Sequence, residues 1–181
     1  MSVEPAFRDQ MLAAVPSLRA FAISLSGSHD RADDLVQDTL MRAWKNVDRF
    51  EPGTNLNAWL FTILRNLFHS EYRKRKREVE DADGIHAARL ATRPEQGARL
   101  DFEDFQRALT KLQPDQREAL LLVGAEGFSY EEAAAICNVA VGTVKSRVNR
   151  ARKKLEELLS FEEEDDFGPD RMTRAALQAT S

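Results

Sequence analysis

Between Asp30 and Val47 the inward-type residues fall at Ala32, Leu35, Val36, Thr39, Leu40, Ala43, Trp44 and Val47. Steps of three and one set all of them on a single helical face, and no period of two reproduces the set. The spacing recurs at Phe7, Met11, Leu18, Phe21 and Leu25, and at Trp59, Leu60, Ile63, Leu64, Leu67, Phe68 and Tyr72. It returns at Phe102, Phe105, Leu109 and Leu112. A chain made of such stripes can bury them only by packing helix on helix. No strand-like alternation and no internal repeat interrupts the pattern, so the fold class is expected to be all-α.

Breaks in the pattern set the organisation. Pro16 divides the first stripe, which reads as a short helix followed by a second one ending at Gly27. Asp30 is the expected N-cap of the next helix, with Asp33 favoured in its first turn by the dipole. "FEPGTN", Phe50 to Asn55, has turn chemistry and reads as a loop. The stripe from Trp59 runs into "RKRKR", Arg73 to Arg77, and periodicity then fails over Glu78 to Ala98, which is rich in acids and contains two Gly and a Pro. That composition is expected of a flexible linker between two small helical domains. Helices resume from Phe102, with one from Asp115 to about Val123, a break at "GAEGF" and two more beyond. The expected division is 1–77, a linker at 78–100, a second domain at 101–160 and an acidic, disordered tail at 161–181.

Charge is unevenly spread. The net charge is −4, and the tail from Phe161 carries six acids against Arg171 and Arg174, which is −4 alone. The remaining chain is neutral on balance, so its two basic blocks can act locally on a negative partner. The single cysteine, Cys137, excludes an intramolecular disulfide and fits a reducing compartment. "MSVEPAFRDQ" lacks the basic start and apolar run of a signal peptide, and the longest apolar runs fall far short of a membrane span. A soluble, cytoplasmic protein without membrane contact is expected. His29, His69 and His86 are scattered, with no Cys or carboxylate at metal-ligand spacing. No P-loop, dinucleotide glycine pattern or nucleophile elbow is present, so neither an enzyme nor a cofactor or metal is expected.

The most specific stretch is "SYEEAAAICNVAVGTVKSRVNRARKKL", Ser129 to Leu155. Ser129 with Glu132 makes a capping box. Ala133, Ala134 and Ala135 leave room for a second helix to cross closely, and Asn138 suits the left-handed residue of a tight turn. Val144, Val148, Ala151 and Leu155 form the inward stripe of that second helix, while Lys145, Ser146, Arg147, Asn149, Arg150 and Lys153 occupy its other faces. Six Lys or Arg fall in the ten residues from Lys145 to Lys154, and no acid occurs from Val139 to Leu155. A solvated helical hairpin ordinarily mixes acids among its bases. This pattern reads as a helix-turn-helix with a recognition helix made for a phosphate backbone.

The other basic block, "NAWLFTILRNLFHSEYRKRKR", interleaves Trp59, Phe61, Phe68 and Tyr72 with Arg65, Asn66, His69 and Arg73. Two readings stand. The aromatics can be core, with a solvated basic helix end, or the mixture can offer single-stranded bases a stacking surface and a charged track.

The chain resembles bacterial sigma factors of the extracytoplasmic-function group, which keep only the second and fourth sigma domains. The matching stretches are "DRADDLVQDTLMRAWKNVDRF", "NAWLFTILRNLF" and "LQPDQREALLLVGAEGFSYEEAAAICNVAVGTVKSRVNRARKKL", in that order. Within the group it is most similar to the EcfG-like general-stress-response factors. The resemblance implies a sigma-2-like helical domain and a sigma-4-like helix-turn-helix domain. It implies that Asp34, Gln37, Asp38, Met41 and Arg42 dock on the clamp coiled coil of the β′ subunit of core RNA polymerase, with the β flap as a further contact. The loop ending at Asn55 would hold a base flipped from the minus-ten element of promoter DNA. Asn66 and Ser70 would read that element, with Arg65 and Arg73 on phosphates. Lys145, Ser146, Asn149 and Arg150 would face minus-thirty-five bases, and Gly142, Thr143 and Arg147 would contact phosphate. Asn149 departs from the bulkier residue of some members. The acidic linker would thread toward the RNA exit path. A NepR-like anti-sigma factor, released by a phosphorylated PhyR-like partner, would hold the protein inactive. The free protein is then expected to be extended, with its domains free to reorient. A stand-alone dimeric helix-turn-helix regulator would leave the N-terminal domain idle, and a helical adaptor would leave both basic blocks unexplained.

Overall fold

The computed structural model describes residues 5–81 and 99–166, so most of the expected linker and the end of the acidic tail lie outside the described residues. Every regular element among the described residues is helical. The N-terminal half holds α1 (Pro5–Ser26), α2 (His29–Lys45) and α3 (Leu56–Asp81), which pack against one another in all three pairs.

α1 is one helix rather than the two expected around Pro16. Pro16 is on the exposed side, while Met11, Ala14, Leu18, Phe21, Ala22 and Leu25 are buried on the other. The missing proline N–H leaves one carbonyl of the preceding turn to water. The buried stripe runs on across it and outweighs the loss of about 3 kcal/mol that an interior proline costs. Gly27, at φ +66, closes α1 by donating its N–H to Ile23 O at 2.8 Å. That turn places Ser28 in extended backbone as the N-cap of α2, its Oγ accepting from the Arg31 N–H at 3.4 Å. Asp30, the expected cap, instead lies in the first turn, where its charge suits the dipole. Asp33 lies further on and pairs with Arg19 at 2.6 Å, fastening α2 to α1. The α2 stripe buries Ala32, Leu35, Val36, Thr39 and Ala43, but Trp44 is 47% exposed. "FEPGTN" is the expected loop, and Phe50 at its start packs between Phe7 and Trp59 at ring distances of 5.5 and 5.3 Å.

The C-terminal half holds α4 (Arg99–Thr110), α5 (Pro114–Leu120), α6 (Tyr130–Cys137) and α7 (Val141–Asp166). The helix expected to reach Val123 ends at Leu120 and widens into a π turn over Leu121–Ala125. Gly127, at φ +74, then reverses the chain so that the Phe128 N–H reaches Leu122 O at 3.0 Å. Ser129 and Glu132 form the reciprocal capping box of α6, and Asn138 takes the left-handed conformation at φ 53 and ψ 49 between α6 and α7. Ala133 and Ala134 are buried where α7 crosses, against Val144 and Val148 at 0% exposure. Further along α7, Ala151 and Leu155 pack with Ala108, Leu109 and Leu112 of the α4 region. Two boundaries differ from expectation, since α3 runs past residue 77 to Asp81 and α7 runs past 160 to Asp166.

The two halves are not independent bodies. One apolar cluster runs from Leu18, Phe21, Leu60 and Leu64 to Ala119, Leu122, Phe128, Ala133 and Ile136. Phe61 joins them, with its ring 5.1 Å from Phe21 on one side and 5.1 Å from Phe128 on the other. The expectation of an extended chain with freely reorienting domains therefore does not match this arrangement. The reason is visible in α3. Leu60, Leu64 and Leu67 follow the stripe facing α1 and α2, whereas Phe61 lies beside it. A buried aromatic at that position needs a second wall, which α6 and its preceding turn supply. Leu64→Ala, deep in this cluster, is expected to lower unfolding stability by about 2–5 kcal/mol in urea titrations followed by circular dichroism.

Candidate nucleic-acid interface

The back of α7 is fixed by Val144, Val148, Ala151 and Leu155, all buried. The opposite face is thereby turned outward, and Gly142, Thr143, Lys145, Ser146, Asn149 and Arg150 are all exposed. Lys145 Nζ lies 5.7 Å from the centre of the Tyr130 ring, which positions its ammonium over α6. Nothing stands within 4 Å of where a Cβ on Gly142 would be, so a ligand can approach the start of the helix. Arg147 stands apart from this group. Its Nε is 3.1 Å from Asp115 Oδ2 and its side chain is 20% exposed, so it ties α7 to α5.

On α2, Asp34, Gln37, Asp38, Met41 and Arg42 share the exposed face opposite the buried stripe. Met41 adds an apolar spot, 49% exposed, beside the carboxylates.

The α3 face is more constrained. Asn66, Ser70 and Arg73 are exposed. Asn55 precedes α3 and accepts from the Ala58 N–H through Oδ1 at 3.2 Å, while its Nδ2 donates to Glu132 Oε1 at 2.7 Å. Arg65 is half-buried, with Nε 2.7 Å from Glu118 Oε1. That Nε is buried without a well-aligned hydrogen bond, so the contact is mainly charge on charge. His69 Nε2 lies 3.3 Å from the same Glu118 oxygen. Between α3 and the α6–α7 turn opens a cleft of about 410 Å³ lined by Arg65, Asn66, His69, Arg73 and Asn138. Three basic side chains and two amides make it a receptor for anions. Phe61 is core and offers no stacking surface, while Tyr72, exposed, stacks on Phe68 with ring centres 6.4 Å apart and planes 28° apart.

Glu118 was not picked out by sequence reasoning. It is 1% exposed and takes its cationic partners from the opposite half of the chain. Its signal was its phase, because Glu118 and Leu122 stand four apart and both face inward. Burial pushes its carboxyl up, but the His69 hydrogen bond and the Arg65 charge more than offset this and leave it below the usual range. Cys137 Sγ lies 3.8 Å from Glu118 Oε2, and burial with the nearby carboxylate pushes the thiol up to about 11. Among the described residues no group of three or more His, Cys, Asp or Glu could hold a metal ion, and no helix is long and apolar enough to cross a membrane.

Comparison with known proteins decides what this pair of basic faces belongs to. A Sigma-70 region 2 family model matches residues 12–78, and a Sigma-70, region 4 model matches residues 102–155. The chain is 67% identical over 177 residues to the ECF RNA polymerase sigma factor EcfG of Rhodopseudomonas palustris, covering 98% of each. The chain belongs to the extracytoplasmic-function sigma factors. It is a sigma factor that directs promoter recognition and transcription initiation. Among solved structures it is similar to the sigma factor RpoE of Bartonella quintana in complex with the anti-sigma factor NepR. The TM-score there is 0.78 at 60% identity, covering 86% of this chain and 97% of that one. It is also similar to CnrH in complex with the cytosolic domain of CnrY, at TM-score 0.66 and 31% identity, covering 88% and 90%. In this sigma factor the Glu118 carboxylate has its folded-state pKa depressed. Its stabilising contribution is therefore present above the ordinary carboxylate range, about pH 4, and lost as pH falls through the folded value. Acid titration should weaken the native protein more steeply below about pH 4 than it weakens Glu118→Gln, read as the slope of stability against pH.

Proposed function

We propose that the two basic faces of this sigma factor divide the promoter between them. Lys145, Ser146, Asn149 and Arg150 read minus-thirty-five bases in the major groove of duplex DNA, with Gly142 and Thr143 on phosphate. Arg147 contributes to this face by holding α7 on α5 through Asp115, and reaches phosphate only at its edge. Asn55, Asn66 and Ser70 take the opened minus-ten strand, with Arg65 and Arg73 on its phosphates. Asp34, Gln37, Asp38, Met41 and Arg42 dock on the β′ clamp coiled coil. A NepR-like anti-sigma factor holds the protein inactive until stress releases it, and the work is done in the cytoplasm. Family membership together with the NepR-bound relative supports this last part.

The observation that carries the reading is the outer face of α7, cationic and amide-bearing without an acid, on a helix whose back is locked into a helix-turn-helix. Such a face gains from counterion release on duplex DNA and from bidentate contacts to base edges. The test is transcription by reconstituted polymerase from a promoter mapped by transcript starts after overproduction. Lys145→Ala and Arg150→Ala should each cost about 1–3 kcal/mol in promoter binding, with no loss of thermal stability. Full-rate transcription by both would contradict the assignment. Asn66→Ala should lower open-complex formation on duplex promoter, leave core polymerase binding unchanged, and be rescued in part by a pre-opened bubble. Normal permanganate reactivity of that variant on duplex DNA would count against the minus-ten role.

A further inference from the structure

Lys145 is the α7 cation whose head group lies against the ring of a neighbouring helix. Val144 beside it is 0% exposed and fixes the backbone, while the Lys145 side chain itself is exposed. A lysine so placed carries a long flexible stem, and ordering that stem on a ligand draws on the binding energy. Here Nζ lies 5.7 Å from the centre of the Tyr130 ring, within the range at which the negative face of an aromatic ring attracts an ammonium. The ring is itself held. Tyr130 opens α6 directly after Ser129, whose reciprocal bonds with Glu132 fix that turn, and its side chain is half-buried against the shared apolar core.

Arg147, two residues on, supplies the contrast. Asp115 takes its guanidinium at 3.1 Å and balances its charge, which suits a cation that ties α7 to α5. A ring has a negative face but no net charge, so it can orient a cation without cancelling the field that the cation presents to DNA. An ammonium also has three N–H donors, and a ring on one side leaves donors free for a base edge or a phosphate.

We propose that Tyr130 is a positioning residue for minus-thirty-five recognition, its ring face holding the Lys145 ammonium in the orientation that meets the promoter. The proposal rests on the minus-thirty-five reading of Lys145. Tyr130 acts through Lys145 and needs no contact of its own with DNA. A lysine ordered before binding loses less freedom on the promoter, which raises affinity. It also reaches fewer alternative acceptors, which sharpens the preference at the base pair it reads.

The test uses holoenzyme reconstituted from core polymerase and the full chain, on the promoter mapped by transcript starts. Tyr130→Phe keeps the ring and removes the hydroxyl. A ring-trifluorinated phenylalanine at the same position keeps the shape and drains the negative face. Each is made with Lys145 present and in a Lys145→Ala background, so an effect of the ring on folding appears in both backgrounds and cancels. Promoter affinity is read on the native duplex and on duplexes substituted one base pair at a time through the minus-thirty-five element.

With Lys145 present, Tyr130→Phe should bind as the native protein does, and the fluorinated variant should bind about two- to fivefold more weakly than Tyr130→Phe. The fluorinated variant should also flatten the preference at the same base pair that Lys145→Ala flattens, and at no other. In the Lys145→Ala background the three side chains at position 130 should bind alike. A fluorinated variant that binds as tightly as Tyr130→Phe overturns the proposal. A loss already complete in Tyr130→Phe also overturns it, because the hydroxyl then acts and the ring face does not. So does a loss of equal size in the Lys145→Ala background. If Lys145→Ala alone leaves promoter affinity untouched, the minus-thirty-five reading of Lys145 fails and the proposal falls with it. If Lys145→Ala weakens binding while the ring series is flat, that reading stands and only the role of Tyr130 fails.

Discussion

Glu118 is the point on which the two halves meet, because it is an acid buried at 1% exposure whose charge is matched only from across the seam. Within the described C-terminal half the Cys137 thiol is its hydrogen-bond partner, and a thiol cannot balance a carboxylate charge. Removing a carboxylate from water costs several kcal/mol unless a cation replaces the lost hydration. Arg65 and His69 provide that, and Phe61 against Phe128 provides the apolar area beside them. Each of the two interactions makes the other cheaper. The ring contact excludes water from the ion cluster, and the cluster orients α5 so that Leu122 and Phe128 can pack.

The same helix, α3, therefore carries two jobs on two of its faces. Its inner stripe holds the N-terminal bundle together through Leu60, Leu64 and Leu67. Its flank, with Arg65, Asn66, His69 and Arg73, lines a polar cleft and is proposed to take the opened strand. A sigma factor needs that economy. Flipping and unstacking bases costs a few kcal/mol, which a binding surface must return at the right moment and not before. α7 is arranged differently. Its cationic face is held outward by Val144 and Val148, and only Arg147 at its edge is drawn into an ion pair, with Asp115, among the described residues of that face.

Much of this was legible in the residues. The α2 stripe, the loop at "FEPGTN", the capping box at Ser129 and Glu132, and the left-handed Asn138 follow from local rules that tertiary packing did not override. Pro16 was misleading because the rule for interior proline takes no account of which side of the helix faces solvent. The N-cap slipped from Asp30 to Ser28 because Gly27 reverses the chain just before it, and both residue types cap well. The seam was not legible. Glu118 in "REALLL" and Phe61 in "WLFTIL" are ordinary in a helix, and only their spatial meeting with Arg65 and Phe128 gives them meaning. Arg147 shows the same limit in the candidate site, since charge pattern alone assigns it to DNA, whereas Asp115, distant in sequence, claims it.

Glu118 with Arg65 and His69, and Phe61 with Phe128, join the two halves of the free protein into one body. Spin labels at Thr54 and Glu131, in a Cys137→Ser background, test it most directly. Both positions are exposed, and each is next to a member of the Asn55–Glu132 hydrogen bond across the seam. A short, narrow distance distribution is expected in the free sigma factor, and a longer, broader one in Glu118→Gln. A distribution that is already long and broad in the native free protein, or that is unchanged in Glu118→Gln, would contradict it.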